Sequence, residues 1–300
     1  MKINMNFDSP ENKKEKSEDE TKLLQERILD CFANPETQIQ IENDFTHIFE
    51  QLGLSQEKSI EIYKDVSSFL KSNQSLRETE DKVRKLFQNT RLNFGNQELN
   101  LIEVLNEKLK NRAETIFKQV APYLKNIRGK VIDYGAGDGQ ITQLLSDQLL
   151  LNIEGVDIRS YHREGLTVPI YIFDGTRVEV MDKHYEAGLL TNVLHHEQEN
   201  EKILAELDRI IKHKLVIIET IPEGKTEEEI EMDKDRTFMN DYLYNRLFHN
   251  ANIPVPGAYE TPKDWIRRIS KYGWKLNYEE DLGVDQPVIK DRHYLLEFQR

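Results

Sequence analysis

Cysteine is nearly missing from this sequence: Cys31 is the single one in 300 residues. An intrachain disulfide is thereby excluded, and a lone thiolate builds no zinc site, so a reducing compartment, the cytoplasm, is expected. Long hydrophobic runs are missing too. No stretch approaches the roughly 18 apolar residues needed to cross a bilayer. The opening MKINMNFDSPENKKEKSEDE carries acidic residues and no apolar centre, unlike a secretory signal or an Arg-rich transit peptide. Positive charge is in short supply: 41 Lys and Arg against 54 Asp and Glu leave a net charge of −13. No nucleic-acid partner is expected, because phosphate binding needs a cationic surface. What is present is a polar but globular mixture, 38% hydrophobic and 32% charged, long enough for one α/β domain and a smaller helical appendage.

Residues 1–20 offer almost nothing to bury and are expected to form a disordered tail. Over residues 21–97 apolar residues recur at helical spacing, as in Phe45, Ile48, Phe49 and Leu52 and again in Ile62, Val66, Phe69 and Leu70, with breakers at Asn34-Pro35 and Gly53. The spacing predicts a set of short amphipathic helices. The domain expected over 98–300 opens with a helix or helix pair that ends at Gly129. Short β-rich runs then alternate with helical ones. Strands are expected at Lys130–Asp133, Asn152–Asp157, Ile170–Asp174, Ala187–Thr191 and Lys214–Thr220, with helices at Gln140–Leu150 and Glu199–Lys212. A further helix at Pro262–Tyr272 and strands at Trp274–Tyr278 and His293–Phe298 close the chain. Such alternation means a Rossmann-like, doubly wound α/β fold with a mostly parallel seven-stranded sheet.

The sharpest local feature is Val131-Ile-Asp-Tyr-Gly-Ala-Gly-Asp-Gly-Gln140, a strand running through a glycine turn into a helix. Glycines let the backbone turn tightly and approach a ligand. Asp157 ends the next strand, 157 − 139 = 18 residues after the last loop glycine, close to the spacing of about 20 at which a carboxylate meets ribose hydroxyls. A dinucleotide fingerprint wants glycine where Gln140 stands, which opposes a nicotinamide oxidoreductase. Asp133 and Asp138 would also repel phosphates and welcome a cation. S-adenosylmethionine is such a ligand: a nucleoside with a sulfonium and no phosphate.

These residues resemble the class I S-adenosylmethionine-dependent methyltransferases, most specifically between Val131 and Thr220, in the branch similar to the ubiquinone-biosynthesis enzymes. The resemblance implies that Asp133, Gly135, Ala136, Gly137 and Gly139 hold the methionine end of S-adenosylmethionine. It further implies that Asp157, with Ile158 after it, binds the ribose and that Asp174-Gly175 reaches the adenine. Leu190-Thr-Asn-Val-Leu-His-His196 would wall the methyl-transfer chamber, with Asn192 at the cofactor. Only 174 − 157 = 17 residues separate the second and third acids, so the second crossover helix is expected to be short or lost.

For catalysis, His195 or His196 is the expected general base, with His249 and Tyr242 behind them. The plainer alternative is that one histidine packs at the strand end and the other binds a carbonyl. Glu219 reads as a solvated or helix-capping acid, and Glu223–Asp235 as an exposed face. No metal site is assigned. An insertion at about 223–265, dense in aromatic residues, is expected to roof an acceptor pocket for an apolar or aromatic small molecule, although Phe238, Tyr242 and Leu243 equally suit a helix core. The expected activity is methyl transfer to a small molecule, oxygen ahead of nitrogen or carbon. The alternatives are methylation of a protein and a non-catalytic, S-adenosylmethionine-binding scaffold. The N-terminal helices would serve as a lid, a homodimer surface or a docking site for a carrier protein.

Overall fold

The computed structural model describes residues 10–72, 74–160, 163–249 and 253–300. Helix α1 (Pro10–Ala33) begins inside the segment expected to be a tail. Proline suits a first helical position, and the Lys and Glu residues that follow are good helix formers; residues 1–9 lie outside the described residues. Helices α2 (Pro35–Leu52), α3 (Gln56–Leu70) and α4 (Leu76–Asn89) follow with their ends written in the sequence. Asn34 caps α2 ahead of Pro35, Gly53 closes it in the left-handed region, Ser55 caps α3, and Ser75 with Glu78 forms a capping box on α4.

Helical periodicity misses what comes next. Strands β1 (Arg91–Phe94) and β2 (Gln97–Asn100) form an antiparallel hairpin where helix was expected. Two residues, Gly95 and Asn96, make its turn, and Gly95 has φ +61°, the conformation a tight hairpin asks of glycine. Helices α5 (Leu101–Leu109) and α6 (Arg112–Leu124) then lead to the sheet.

The sheet is built from β3 (Lys130–Tyr134), β4 (Asn152–Asp157), β5 (Ile170–Ile172), β6 (Tyr185–Thr191), β7 (Ile211–Ile221), β8 (Lys275–Gly283) and β9 (Arg292–Gln299) in the order β5-β4-β3-β6-β7-β9-β8. The first five run parallel, and β9 pairs antiparallel to both β7 and β8. This is the expected seven-stranded, doubly wound α/β architecture. Helices α6 and α7 (Gln140–Leu149) cover one face through Ile116, Val120 and Leu145 against Val131, Leu189 and Val216. Helices α8 (Asn200–Ile210) and α10 (Pro262–Ser270) cover the other through Leu207 and Trp265 against Ile132, Ile217 and Phe298. Between β4 and β5 the described residues contain no helix, in line with the short spacing of Asp157 and Asp174.

A third core lies outside the sheet. Helix α9 (Glu227–Tyr242) and the π-helical turn Leu243–Phe248 bury Phe238, Tyr242, Leu243 and Phe248 among Phe45, Phe49 and Phe87 of the N-terminal helices. Phe87 and Phe248 stack at 4.4 Å. Asp44 of α2 binds Arg236 at 2.6 Å, and Glu80 of α4 binds Arg246 at 3.0 Å. The N-terminal helices and the segment after β7 therefore form one helical cap.

Candidate active site

The order of the sheet reverses at β3, whose neighbours are β4 and β6, and ligands of open α/β sheets sit beyond the carboxyl ends of the strands at such a point. From β3 the chain turns through Gly135, Gly137 and Gly139, all with positive φ, into α7. Gly135 is obligatory by contact as well, since a Cβ there would come 2.5 Å from Val193 Cγ2. Gly137 differs: nothing lies within 4 Å of where its Cβ would stand. The loop is folded onto β4, with Gly135 and Ala136 N–H donating to Val156 O at 2.8 and 3.0 Å.

The four acids of this edge have separate fates. Asp133 is buried; its Oδ2 accepts from Thr142 Oγ1 at 2.6 Å, and its equally buried Oδ1 has no hydrogen-bond partner among the described residues. Burial pushes its carboxyl up to about 6. Asp138, expected to face a cation, instead pairs with Arg163 Nε at 2.9 Å and accepts from Gln140 N–H at 3.1 Å. Its charge is taken up by the loop after β4 and the start of α7, so Asp133 is left as the buried acid of the pair. Asp157 accepts from Gly137 N–H at 2.8 Å and Arg159 N–H at 3.2 Å, and a carboxylate so held keeps lone pairs for further donors. Asp174 is exposed and closes a turn on Thr176 and Arg177, and the Thr176 bonds hold its carboxyl below the ordinary range. Ile158 lies against Gly175, its Cγ2 at 3.2 Å from the position of a Cβ there.

Beyond β6 the backbone turns at Asn192, with φ +56°, into Val193 and the short 3-10 turn Leu194–His196. Glu219, at the end of β7, is 1% exposed, which corrects its reading as a solvated acid. Its Oε1 accepts from Val193 and Leu194 N–H at 2.8 and 2.7 Å, and its Oε2 lies 2.6 Å from His195 Nδ1. Burial disfavours a charged His195, but the charge and hydrogen bond of Glu219 outweigh it and hold the imidazole above its ordinary value. Burial equally opposes a charged Glu219, and His195 reverses that sign, so the carboxyl sits low. One sequence signal marked Glu219: an acid ends an apolar strand beside the strand that carries the histidines.

The two histidines divide the work. His195 is buried and stacks on Tyr259 at 5.2 Å. Half-buried His196 donates from Nδ1 to Pro254 O at 2.9 Å and lies 3.7 Å from Asp241 Oδ2, with burial and the neighbouring His195 lowering its pKa. Asp241 also accepts from Tyr259 Oη at 3.0 Å. His195, His196 and Asp241 each place a ligand atom within 4.8 Å of the others, a grouping invisible in sequence because Asp241 comes from the cap. Tyr242 is not with them. Its side chain is fully buried in the cap core and its hydroxyl donates to Glu80 Oε1 at 3.2 Å, so helix packing has claimed it. His249 lies at the exposed end of the π-helical turn, where the surrounding protein and then the charge of Arg112 hold it below its ordinary value.

Residues 132–218 match the family described as Methyltransferase domain. Among solved structures, the chain is similar to geranyl diphosphate C-methyltransferase from Streptomyces coelicolor A3(2), with a TM-score of 0.50 and 9% identity over 74% of this chain and 98% of that one. It is similar also to magnesium protoporphyrin IX methyltransferase from Synechocystis PCC 6803, with a TM-score of 0.44 and 14% identity over 73% of this chain and 93% of that one. A third is an S-adenosylmethionine-dependent methyltransferase from Aquifex aeolicus, with a TM-score of 0.44 and 15% identity over 66% of this chain and 96% of that one. No curated protein matches the chain.

Proposed function

Since residues 132–218 are a methyltransferase domain of the S-adenosylmethionine-dependent class I kind, we propose that the protein methylates a hydroxyl oxygen of a small-molecule acceptor, with His195 as general base. The observation that carries the choice of oxygen is the buried pair of His195 and Glu219 at 2.6 Å. A carboxylate can only accept, so Nδ1 is the protonated ring nitrogen and Nε2 keeps its lone pair. Glu219 is fixed by two backbone amides, and it favours the imidazolium that forms when a hydroxyl proton is taken.

The residues around the glycine turn suit the donor. Asp133 Oδ1 is a buried acceptor without a partner, and the open face of Gly137 admits a ligand against the backbone. Asp157 would bind the ribose, Ile158 and Gly175 would flank the adenine, and Asn192 would line the same edge. S-adenosylmethionine, when bound, supplies an electrophilic methyl group and a neutral thioether leaving group. The protein then has to exclude water and align the acceptor oxygen, and orientation is worth about 7–11 kcal/mol of barrier in well-aligned intramolecular reactions. We assign the exclusion of water to the helical cap, whose Tyr259 stacks on His195. Among the described residues no helix is long and apolar enough to cross a membrane, and the single cysteine supports a cytoplasmic setting.

The test is Glu219→Gln. The amide can still accept the two backbone bonds, but it presents a donor to Nδ1 and turns the imidazole to the tautomer whose Nε2 cannot accept. Release of S-adenosylhomocysteine over a panel of hydroxylated aromatic molecules should fall about 10²–10⁴-fold, while calorimetry shows unchanged affinity for S-adenosylhomocysteine. The wild-type pH profile should rise to a midpoint above histidine's ordinary 6.5. Unchanged turnover in Glu219→Gln would remove His195 as the base.

A further inference from the structure

Arg112, the first residue of α6, has no ion-pair partner among the described residues. Its Nε is sealed from solvent and has no hydrogen-bond partner among the described residues. Among those residues no carboxylate oxygen comes within 4.0 Å of its guanidinium. Four aspartates are the acids whose charge it feels: Asp138, Asp285, Asp241 and Asp291. Each of them is engaged elsewhere. Asp138 pairs with Arg163 at 2.9 Å, and Asp285 holds His293 and Gln119, both at 2.5 Å. Asp241 accepts from Tyr259 at 3.0 Å and Asn245 at 2.5 Å, and Asp291 accepts from Asn240 at 3.3 Å and faces Arg236. A sealed guanidinium N–H without an acceptor carries an unrecovered desolvation penalty. Among the described residues only the charges of these four aspartates offset it.

The surrounding aspartates also locate the guanidinium. Asp138 belongs to the glycine turn. Asp241 closes α9 beside His196 and Tyr259, and Asp285 and Asp291 lie between β8 and β9. Gln119, on the same helix as Arg112, bonds Asp285 at 2.5 Å, and the charges of Asp138 in the glycine turn and Asp241 at the end of α9 both reach Arg112, as its own reaches His249. The outer edge of the guanidinium, whose two Nη nitrogens are not sealed, offers two N–H groups side by side, a fork that matches two oxygens of a carboxylate or phosphate. Resting on the methyltransferase reading above, we propose that Arg112 recognises an oxyanion on the methyl acceptor, and that the acceptor is a small molecule bearing a carboxylate or phosphate. A carboxylate is also present on the amino-acid end of the donor, so the experiment has to separate the two sources.

The probes are S-adenosylhomocysteine, 5′-methylthioadenosine, which lacks the amino-acid end, and the pairs 4-hydroxybenzoate with phenol and phenyl phosphate with benzyl alcohol. Calorimetry on the wild type and Arg112→Gln should give the same affinities for both nucleosides. With S-adenosylhomocysteine saturating, the two anionic probes should bind the wild type at least about tenfold more tightly than their neutral counterparts, and Arg112→Gln should erase that difference. Arg112→Lys, which keeps the charge and loses the fork, should recover part of it and controls for folding. Three results would overturn the proposal: no preference for the anionic probes, a preference that survives Arg112→Gln, or a loss for S-adenosylhomocysteine with none for methylthioadenosine, which would give the guanidinium to the donor. If the wild type binds neither nucleoside, the methyltransferase reading falls first and this one with it.

Discussion

Asp133 shows what a single buried charge does for and against the protein. Its folded carboxyl titrates near 6 against 3.8 for the free group, with burial the main cause. The unfolded chain therefore gives up this proton at lower pH, and the associated stability is complete below about pH 4 and lost as pH rises through 6. Asp133→Asn should raise the melting temperature of the ligand-free protein at about pH 8, by up to about 2–3 kcal/mol of stability. The gain should fall to about half by about pH 5 and vanish only below about pH 4. The same change removes the negative charge offered to the donor, so calorimetry should show weaker S-adenosylmethionine binding. A variant that melts like the wild type at both pH values would mean that the carboxylate is solvated after all. On the function proposed above, Asp157→Ala should weaken the donor far more than His195→Ala, because Asp157 is the residue assigned to the ribose; comparable losses by calorimetry would contradict that division.

Between elements, the glycine turn and the histidine turn are packed against each other. Gly135 combines φ +78° with the 2.5 Å approach to Val193, and the residues after Val193 carry His195. Gly135→Ala should cost about 1–3 kcal/mol in urea denaturation and slow turnover by moving the imidazole. Adding Val193→Ala should relieve the clash but not the backbone strain, giving partial recovery. Full recovery would show that φ is not a constraint here, and no recovery that the contact is not. The ends of α2 were legible from Asn34-Pro35 and Gly53 because a cap is a local bond, and Ser55 and Ser75 cap α3 and α4 in the structure by bonds just as local. The β1–β2 hairpin was not legible, since four-residue strands are too short for alternation to outweigh the helical pattern around them.

At the scale of the molecule, two distant stretches of chain make one cap. Phe248 comes after the fifth strand of the sheet and stacks on Phe87 from the N-terminal helices. Phe248→Ala should cost about 3–5 kcal/mol. Hydrogen exchange should then show lost protection in α2 and α4 together with α9, while the sheet, whose two cores share no residue with the cap core, stays protected. Loss confined to α9 would mean that the cap is two separate units.

The sequence by itself determined the strand order's raw material, the glycine turn and the acids that end β3 and β4, because these rest on short-range rules: periodicity, turn chemistry and fixed spacing along one crossover. Only the tertiary structure decided which acid is spent and which is free. Asp138 is claimed by Arg163, Tyr242 by Glu80, and Glu219 is turned inward to His195. In each case the partner arrives from another element, and charge pairing across a fold depends on distance in space, which no local pattern encodes.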